Sequence, residues 1–293
     1  MKLLITGASG LVGTRLTEVA SHAGHDVVVT YNHHQIEGFN GIRADFKNEQ
    51  QIRRAMQASS PDAVIHLASI TDVDLCERDP ELANVVNAES TRVIAEECLK
   101  AGSYLVNVST DYVFDGGRGN YREDDQPNPV NTYGRSKLKG EEATRATSDE
   151  FCVARTSVVY GWGRGSRPNF GSWVYFELKS GRRVKVVTNQ YCSPTLNSHL
   201  ARMLLEVAER QIPGTIHLAG SSRLSRYEFA QEIAAEFGMN MKLIIPTDAK
   251  SSTWIAERPF DSSLNVEKAQ QLLSNKPMTI KMALHDFVLE RQI

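Results

Sequence analysis

Tyr133-Gly134-Arg135-Ser136-Lys137 sets a phenol and an ammonium four residues apart. On a helix this spacing puts both on one face. A nearby ammonium favours the phenolate, so the pair predicts a Tyr133 pKa drawn down toward the working pH. Such a tyrosine can exchange a proton with a carbonyl or alcohol oxygen while a hydride moves at the carbon that bears it. Ser109-Thr110 stands one loop upstream, at the end of an apolar run. Thr110 can donate a hydrogen bond to the same oxygen, and it can also cap a turn; the two roles are compatible. Thr110, Tyr133 and Lys137 are therefore the candidate catalytic trio. Other chemistries lack their residues: there is no His-Glu-x-x-His and no Gly-x-Ser-x-Gly. His66, His199 and His217 read as core or interface groups, and Asp124-Asp125 as a solvated pair in a polar loop. Cys76, Cys98, Cys152 and Cys192 lie far apart with no zinc spacing, so they read as reduced, buried thiols. No metal is expected.

A hydride needs a carrier. The first apolar run enters Thr6-Gly7-Ala8-Ser9-Gly10-Leu11-Val12-Gly13, three glycines spaced by three between a strand and a helix. Glycine permits the tight turn, and the helix N-terminus offers unpaired N–H groups to a pyrophosphate. An acid after the second strand would hold the ribose hydroxyls of NAD. Here that strand ends Thr30-Tyr31-Asn32-His33-His34. Without an acid a 2′-phosphate meets no repulsion, and without an arginine there it has no clamp. NADP or NAD is expected, with NADP slightly preferred. Asp45, after the third strand, can meet the adenine amino group or simply make a turn.

The elements that must position these residues alternate. Strands are expected at Lys2 to Thr6, Asp26 to Thr30, Ala63 to Ala68 and Tyr104 to Ser109. Helices are expected at Leu11 to Ala23, Glu49 to Ala58 and, as one long amphipathic element, Pro80 to Ala101. Alternation of this kind implies an α/β fold, a doubly wound parallel sheet of the Rossmann type. Asp115 to Asn131, rich in Gly, Asn, Asp and Pro, is a loop. Thr132 to Ala146 is the helix that carries Tyr133 and Lys137, and Phe151 to Tyr160 the strand after it. Further helices are expected near Gly171 to Ser180, Asn197 to Arg210, Arg226 to Phe237 and Ile280 to Glu290. Strands are expected near Val184 to Thr188, Thr215 to Ala219 and Lys242 to Ile245. Residues 1–160, with 184–220, should form the dinucleotide-binding domain. Residues 161–183 and 221–293 should form a smaller C-terminal substrate lobe.

Composition narrows the class. The 293 residues carry a net charge of −2, with 41% hydrophobic and 23% charged residues. That balance suits a globular protein that can bury a large core and argues against nucleic-acid binding. Arg53-Arg54 and Arg182-Arg183 read as solvated. The apolar start is too short for a signal peptide and no stretch approaches a membrane span, so a cytoplasmic protein away from membranes is expected. A homodimer is compatible with the sequence.

With both motifs in place, the chain resembles the extended short-chain dehydrogenases and, more narrowly, the dTDP-4-dehydrorhamnose reductase family. The resemblance rests on Ser109-Thr110-Asp111-Tyr112-Val113-Phe114-Asp115-Gly116, Tyr121-Arg122-Glu123 and Asn131 to Lys137. It rests also on His66-Leu67-Ala68-Ser69, Thr71 to Asp74 with Glu77, Val86-Asn87-Ala88, Arg155-Thr156-Ser157, Asn169-Phe170, Ser193-Pro194-Thr195 and Arg258-Pro259. It implies an NAD(P)H-dependent reductase of a keto group on a nucleotide-linked deoxysugar, with Tyr133 as proton donor and Lys137 on the nicotinamide ribose. Gly7, Ser9, Gly10, Leu11, Val12, Asn32, Asp45, Phe46, Leu67, Ala68 and Ser69 would line the cofactor. Thr71, Val73, Asp111 and Arg258 would approach the substrate. The Trp162 to Arg167 loop, with Arg258, could meet a diphosphate. The chain departs from the family at Val158 and Arg226, where tryptophan is common, and at Asn189 and Cys192. Two alternatives share the pattern: a non-catalytic dinucleotide-binding regulatory subunit, like that of methionine adenosyltransferase, and a nucleotide-sugar epimerase or dehydratase.

Overall fold

The computed structural model describes the chain except residues 33–34, 164–167, 252 and 292–293. β1 (Lys2–Thr6), β2 (Asp26–Tyr31), β3 (Asn40–Arg43), β4 (Ala63–His66), β5 (Tyr104–Thr110) and β6 (Cys152–Thr156) follow one another in the first half. Between them run α1 (Leu11–His22), α2 (Glu49–Ser59), α3 (Val73–Arg78), α4 (Pro80–Asn84), α5 (Ser90–Ala101) and α6 (Thr132–Thr147). The second half contributes β7 (Val159–Tyr160), α7 (Phe170–Lys179), β8 (Val184–Val187), β9 (Tyr191–Cys192), β10 (Thr195–Leu196) and α8 (Asn197–Arg210). After these come β11 (Gly214–His217), β12 (Leu224–Ser225), α9 (Arg226–Glu236), β13 (Ile244–Thr247), α10 (Glu267–Leu272) and α11 (Ile280–Glu290).

The central sheet is seven-stranded, in the order β11-β6-β5-β4-β1-β2-β3, and every pairing in it is parallel. This is the doubly wound α/β architecture that the alternating elements imply. Its strands are apolar on both sides because helices cover both faces. Leu3 and Ile5 of β1 face a core shared with Leu16 of α1 and with Leu200 and Leu204 of α8. Leu4 faces the other core, with Ile52 of α2 and Ile94 of α5. Strand order reverses between β1 and β4, where open α/β sheets bind their ligands.

A separate core joins α7, β8, α9, β13 and α11 around Tyr160, Phe229 and Phe287. Here the structure corrects the predicted division of residues 184–220. β8 pairs with β13 and buries Val184 and Val186 in this second core. α8 and β11 belong to the central sheet. The predicted strand over Phe151 to Tyr160 is broken as well. Val158 has a φ of +39°, a conformation that a β-branched residue adopts only at a bend. The chain leaves the sheet there, and β7 pairs with β10 instead. The predicted single helix over Pro80 to Ala101 carries a π-helical turn, Val85–Glu89, between α4 and α5. Among the described residues no helix is long and apolar enough to cross a membrane.

Candidate active site

The glycine turn is held by contacts from backbone to backbone. A Cβ on Gly13 would lie 2.3 Å from the Gly7 carbonyl oxygen and 2.6 Å from the Ala8 Cα. One on Gly7, which has a φ of +64°, would lie 2.7 Å from the Ala68 nitrogen. Glycine therefore brings the turn hard against the exit of β4. Thr6 completes the join: its hydroxyl accepts from the N–H groups of Leu67 and Ala68 at 3.1 and 3.2 Å and meets His66 Nδ1 at 2.7 Å. Gly10 caps α1 with no side chain of its own, and among the described residues no side-chain hydrogen bond reaches the N–H groups of Leu11 and Val12. Ser9 and Gly10 are exposed. This donor set fits a pyrophosphate. A cavity of about 320 Å³ runs from Ser9 between α1 and the β2–β3 connection to Phe39; the predicted trio does not line it.

The other predicted cofactor residues divide. The Asn32 carbonyl accepts from Arg43 Nε at 3.2 Å. Parallel pairing sets Tyr31 against Arg43, so an arginine does reach the end of β2, from the neighbouring strand. This corrects the expectation that no arginine stands there, which considered β2 alone. Asp45 makes its turn: Oδ1 accepts from the Lys47 N–H at 2.9 Å and Oδ2 lies 3.6 Å from the Lys47 ammonium. Phe46 stacks on His66 with ring centroids 5.7 Å apart. Ser69 is half-buried just past β4.

The predicted trio converges on two elements. Thr110 ends β5; its hydroxyl accepts from the Tyr112 N–H at 3.2 Å and donates to Asp111 Oδ1 at 3.1 Å. It therefore caps a turn. Burial holds Tyr133 above the ordinary tyrosine range, with the Thr110 side chain pulling the other way. The expected downward pull from Lys137 is not what governs Tyr133 here. The buried Lys137 ammonium donates instead to the Val108 carbonyl at 2.8 Å. Burial pulls Lys137 itself down to about 8, with Glu141 opposing. His66, buried nearby, is held near 3 by desolvation and by the Lys137 charge.

Several residues that seat α6 had no role assigned from sequence. Asn131 caps the helix, accepting from the Gly134 N–H at 2.8 Å, and reaches back to the Glu257 carbonyl at 2.8 Å. Glu77 accepts from the Thr132 N–H at 2.9 Å, a carboxylate at the positive end of the helix. Asn87, in the π turn, bonds both backbone groups of Ile70 and the Ser136 hydroxyl. It thus ties the β4 exit to α6. Such turns recur at functional sites, which was the available signal.

The substrate-facing candidates are spread more widely. Thr71 is exposed just before α3, and Val73 begins that helix, half-buried. Asp111 is 2% exposed; its carboxylate accepts from Thr110, from Ser157 at 2.8 Å and from Ser262 at 2.5 Å. Burial raises its pKa against those bonds and the charge of Arg226. Arg258 is already paired, 2.9 Å from Asp74, and donates to the Ala256 carbonyl at 2.7 Å. The diphosphate role expected of it is therefore opposed by an internal carboxylate. Residues 164–167, its expected partners, lie outside the described residues. Arg226 stands differently. It lies over the Phe170 ring at 5.1 Å, and its charge reaches Asp111 and Tyr112, whose ring meets Tyr133 edge-on at 6.0 Å. Among the described residues its guanidinium has no carboxylate within 4.0 Å.

This arrangement can be compared with known proteins. The family described as RmlD substrate binding domain matches residues 1–293. A probable low-salt glycan biosynthesis reductase of Haloferax volcanii is 32% identical over 287 residues, covering 96% of this chain and 95% of that protein. Among solved structures, a hypothetical dTDP-4-dehydrorhamnose reductase of Sulfolobus tokodaii superposes with a TM-score of 0.87 at 38% identity, covering 95% of this chain and 97% of its own. A dTDP-4-dehydrorhamnose reductase of Bacillus anthracis, solved in complex with NADP, superposes with a TM-score of 0.85 at 29% identity over 99% and 100%. The chain belongs to the RmlD substrate-binding-domain family of oxidoreductases.

Proposed function

We propose that this chain reduces a keto group on a nucleotide-linked deoxysugar, using NADPH in preference to NADH. The observation that carries the reading is the packing of α6 on the carboxyl end of β5, which sets Tyr133, one helical turn from the buried Lys137 ammonium, beside the strand that ends in Thr110. Tyr133 would offer its O–H to a carbonyl oxygen, and Thr110 would offer a second donor on turning its hydroxyl from Asp111. Tyr133 gives up its proton as the oxygen becomes an alkoxide, and the pKa held high by burial suits a group that must stay protonated until then. Lys137 lies where it can hold a ribose hydroxyl and favour the phenolate once the proton has left. When bound, the dinucleotide supplies the hydride taken up by the carbonyl carbon. The uncapped start of α1, with Ser9 and Gly10, would receive its pyrophosphate. Arg43 would pair with a 2′-phosphate, the group that distinguishes NADP.

On the sugar side, Thr71, Val73 and Asp111 would meet the substrate, with the lobe built from α7, β8, α9, β13 and α11 as the other wall. Arg226, rather than Arg258, supplies the guanidinium for a diphosphate, since Asp74 already neutralises Arg258. The test is consumption of NADPH and NADH, in parallel, on adding a dTDP-4-keto-6-deoxyhexose made in situ. Consumption of NADPH at the higher rate, with formation of the 4-hydroxy sugar, is the expected result. No consumption of either, by a protein that still binds NADPH, would overturn the proposal.

A further inference from the structure

Lys137 and Glu141 lie four residues apart on α6, and Tyr133 lies four before, so the three share one face. Glu141 is fully buried and Arg155 is 2% exposed. The Glu141 carboxylate accepts from Arg155 Nε at 3.0 Å, from Arg155 Nη2 at 2.7 Å, from the Ser109 hydroxyl at 2.6 Å and from Arg145 at 3.1 Å. Arg155 also lies over the Phe114 ring at 5.0 Å and reaches the Glu123 carbonyl at 3.4 Å. These bonds make a register between strand and helix. Val108 is tied to Lys137 and Ser109 to Glu141, while Asn107 Nδ2 donates to the Thr144 hydroxyl at 3.0 Å.

Stability alone does not call for such a pair. A buried ion pair can often be replaced by apolar residues of similar volume without loss. What it does supply here is a negative charge beside a buried cation. Lys137 makes no ion pair among the described residues; its one hydrogen bond is to a neutral carbonyl. The charged and titratable groups around the Tyr133–Lys137 face include Glu141 and Arg145 on the same helix, His66 at the end of β4, Cys76 on α3, Asp111 and Tyr112 after β5 and Arg155 on β6, with His217 of β11 beyond Arg155. Of these, Glu141 is the carboxylate whose charge supports the Lys137 ammonium.

We propose that Glu141 is a positioning residue for the trio: its buried carboxylate, anchored by Arg155 and Ser109, fixes the depth of α6 against β5 and with it the place of Tyr133 and Lys137. The proposal rests on the trio serving the reaction, so its test includes a readout that needs no turnover. The full chain is labelled with ¹³C at lysine Cε, the Lys137 signal is assigned with Lys137→Met, and its titration is followed in the wild type, in Glu141→Gln and in the double variant Glu141→Gln/Arg155→Met. In Glu141→Gln the Lys137 titration falls by about one pH unit, and the alkaline limb of kcat/KM falls with it. In the double variant the thermal unfolding temperature recovers toward the wild type, while the Lys137 titration stays low. Lys137 titrating at the wild-type pH in either variant overturns the proposal, as does a double variant that restores both properties. Should Glu141→Gln fail to fold, the double variant decides alone. Absence of turnover in the wild type would count against the reductase reading and leave the titration result standing.

Discussion

At the exits of β1 and β4, Gly7, Gly13, Leu67 and Ala68 meet through backbone atoms, with the buried Thr6 hydroxyl as the one side chain in the join. On the opposite flank, Asp111, Arg226 and Arg258 are side chains from three separate stretches, each held by partners from still others: Ser157, Ser262, Phe170 and Asp74. On the proposed function, the first region would receive what every dinucleotide shares, a pyrophosphate, and the second what differs between substrates. A backbone site tolerates almost no change of residue, whereas a side-chain site can be retuned one residue at a time.

Substitutions in the two regions should behave differently. Gly13→Val should have the largest effect on its region, because its side chain would press into the backbone of Gly7 and Ala8. A loss of at least about 3 kcal/mol in urea unfolding, with no NADPH binding, is expected. Wild-type affinity in this variant would refute the steric account of the turn. Arg226→Ala should leave NADPH binding intact and raise the KM for the sugar nucleotide about tenfold, the loss of one charged hydrogen-bonding partner; an unchanged KM would remove Arg226 from the substrate wall. Arg43→Ala should raise the KM for NADPH by a similar factor of about ten while leaving NADH unaffected. Equal losses for both cofactors would mean that Arg43 only supports the β2 end.

The effect that is smallest near neutral pH, and grows as the pH falls, is a slope in stability. His66, on the cofactor side, and His217, beyond Arg155, are each held near 3, chiefly by burial. An unfolded chain would protonate both near the ordinary histidine value of about 6.5. Their depressed pKa values therefore contribute stability that is complete above about pH 6.5 and is lost as the pH falls toward 3. Unfolding free energy should drop by up to about 1.4 kcal/mol per pH unit for each histidine in that window. His217→Gln should remove one such contribution and leave the other. A slope unchanged by that substitution would show that His217 is not buried neutral.

The two regions were unequally legible in the sequence. The glycine turn, the sheet and the helix carrying Tyr133 and Lys137 are encoded in contiguous residues, where spacing alone states the geometry. Arg43 was missed as a neighbour of Asn32 because only the β2–β3 register brings them together. Asn87, Glu77 and Glu141 act on α6 across separations of more than 30 residues or inside a buried network, and periodicity shows neither. The lowered Tyr133 pKa was expected from the spacing to Lys137. The spacing holds, yet it could not show that the ammonium would turn to the Val108 carbonyl or that burial would dominate the phenol. Val158 ended a strand early because its φ is set by where the chain must go next, not by its β-branched preference.

The most direct test of the account is transfer of label from NADPH deuterated at nicotinamide C4 to the sugar, in the wild type and in Tyr133→Phe. The account predicts one deuterium at the new carbinol carbon in the wild type. It predicts a rate lower by about 10²–10⁴ in Tyr133→Phe, with NADPH binding retained. Deuterium absent from the sugar, or a Tyr133→Phe protein that turns over at the wild-type rate, would contradict it.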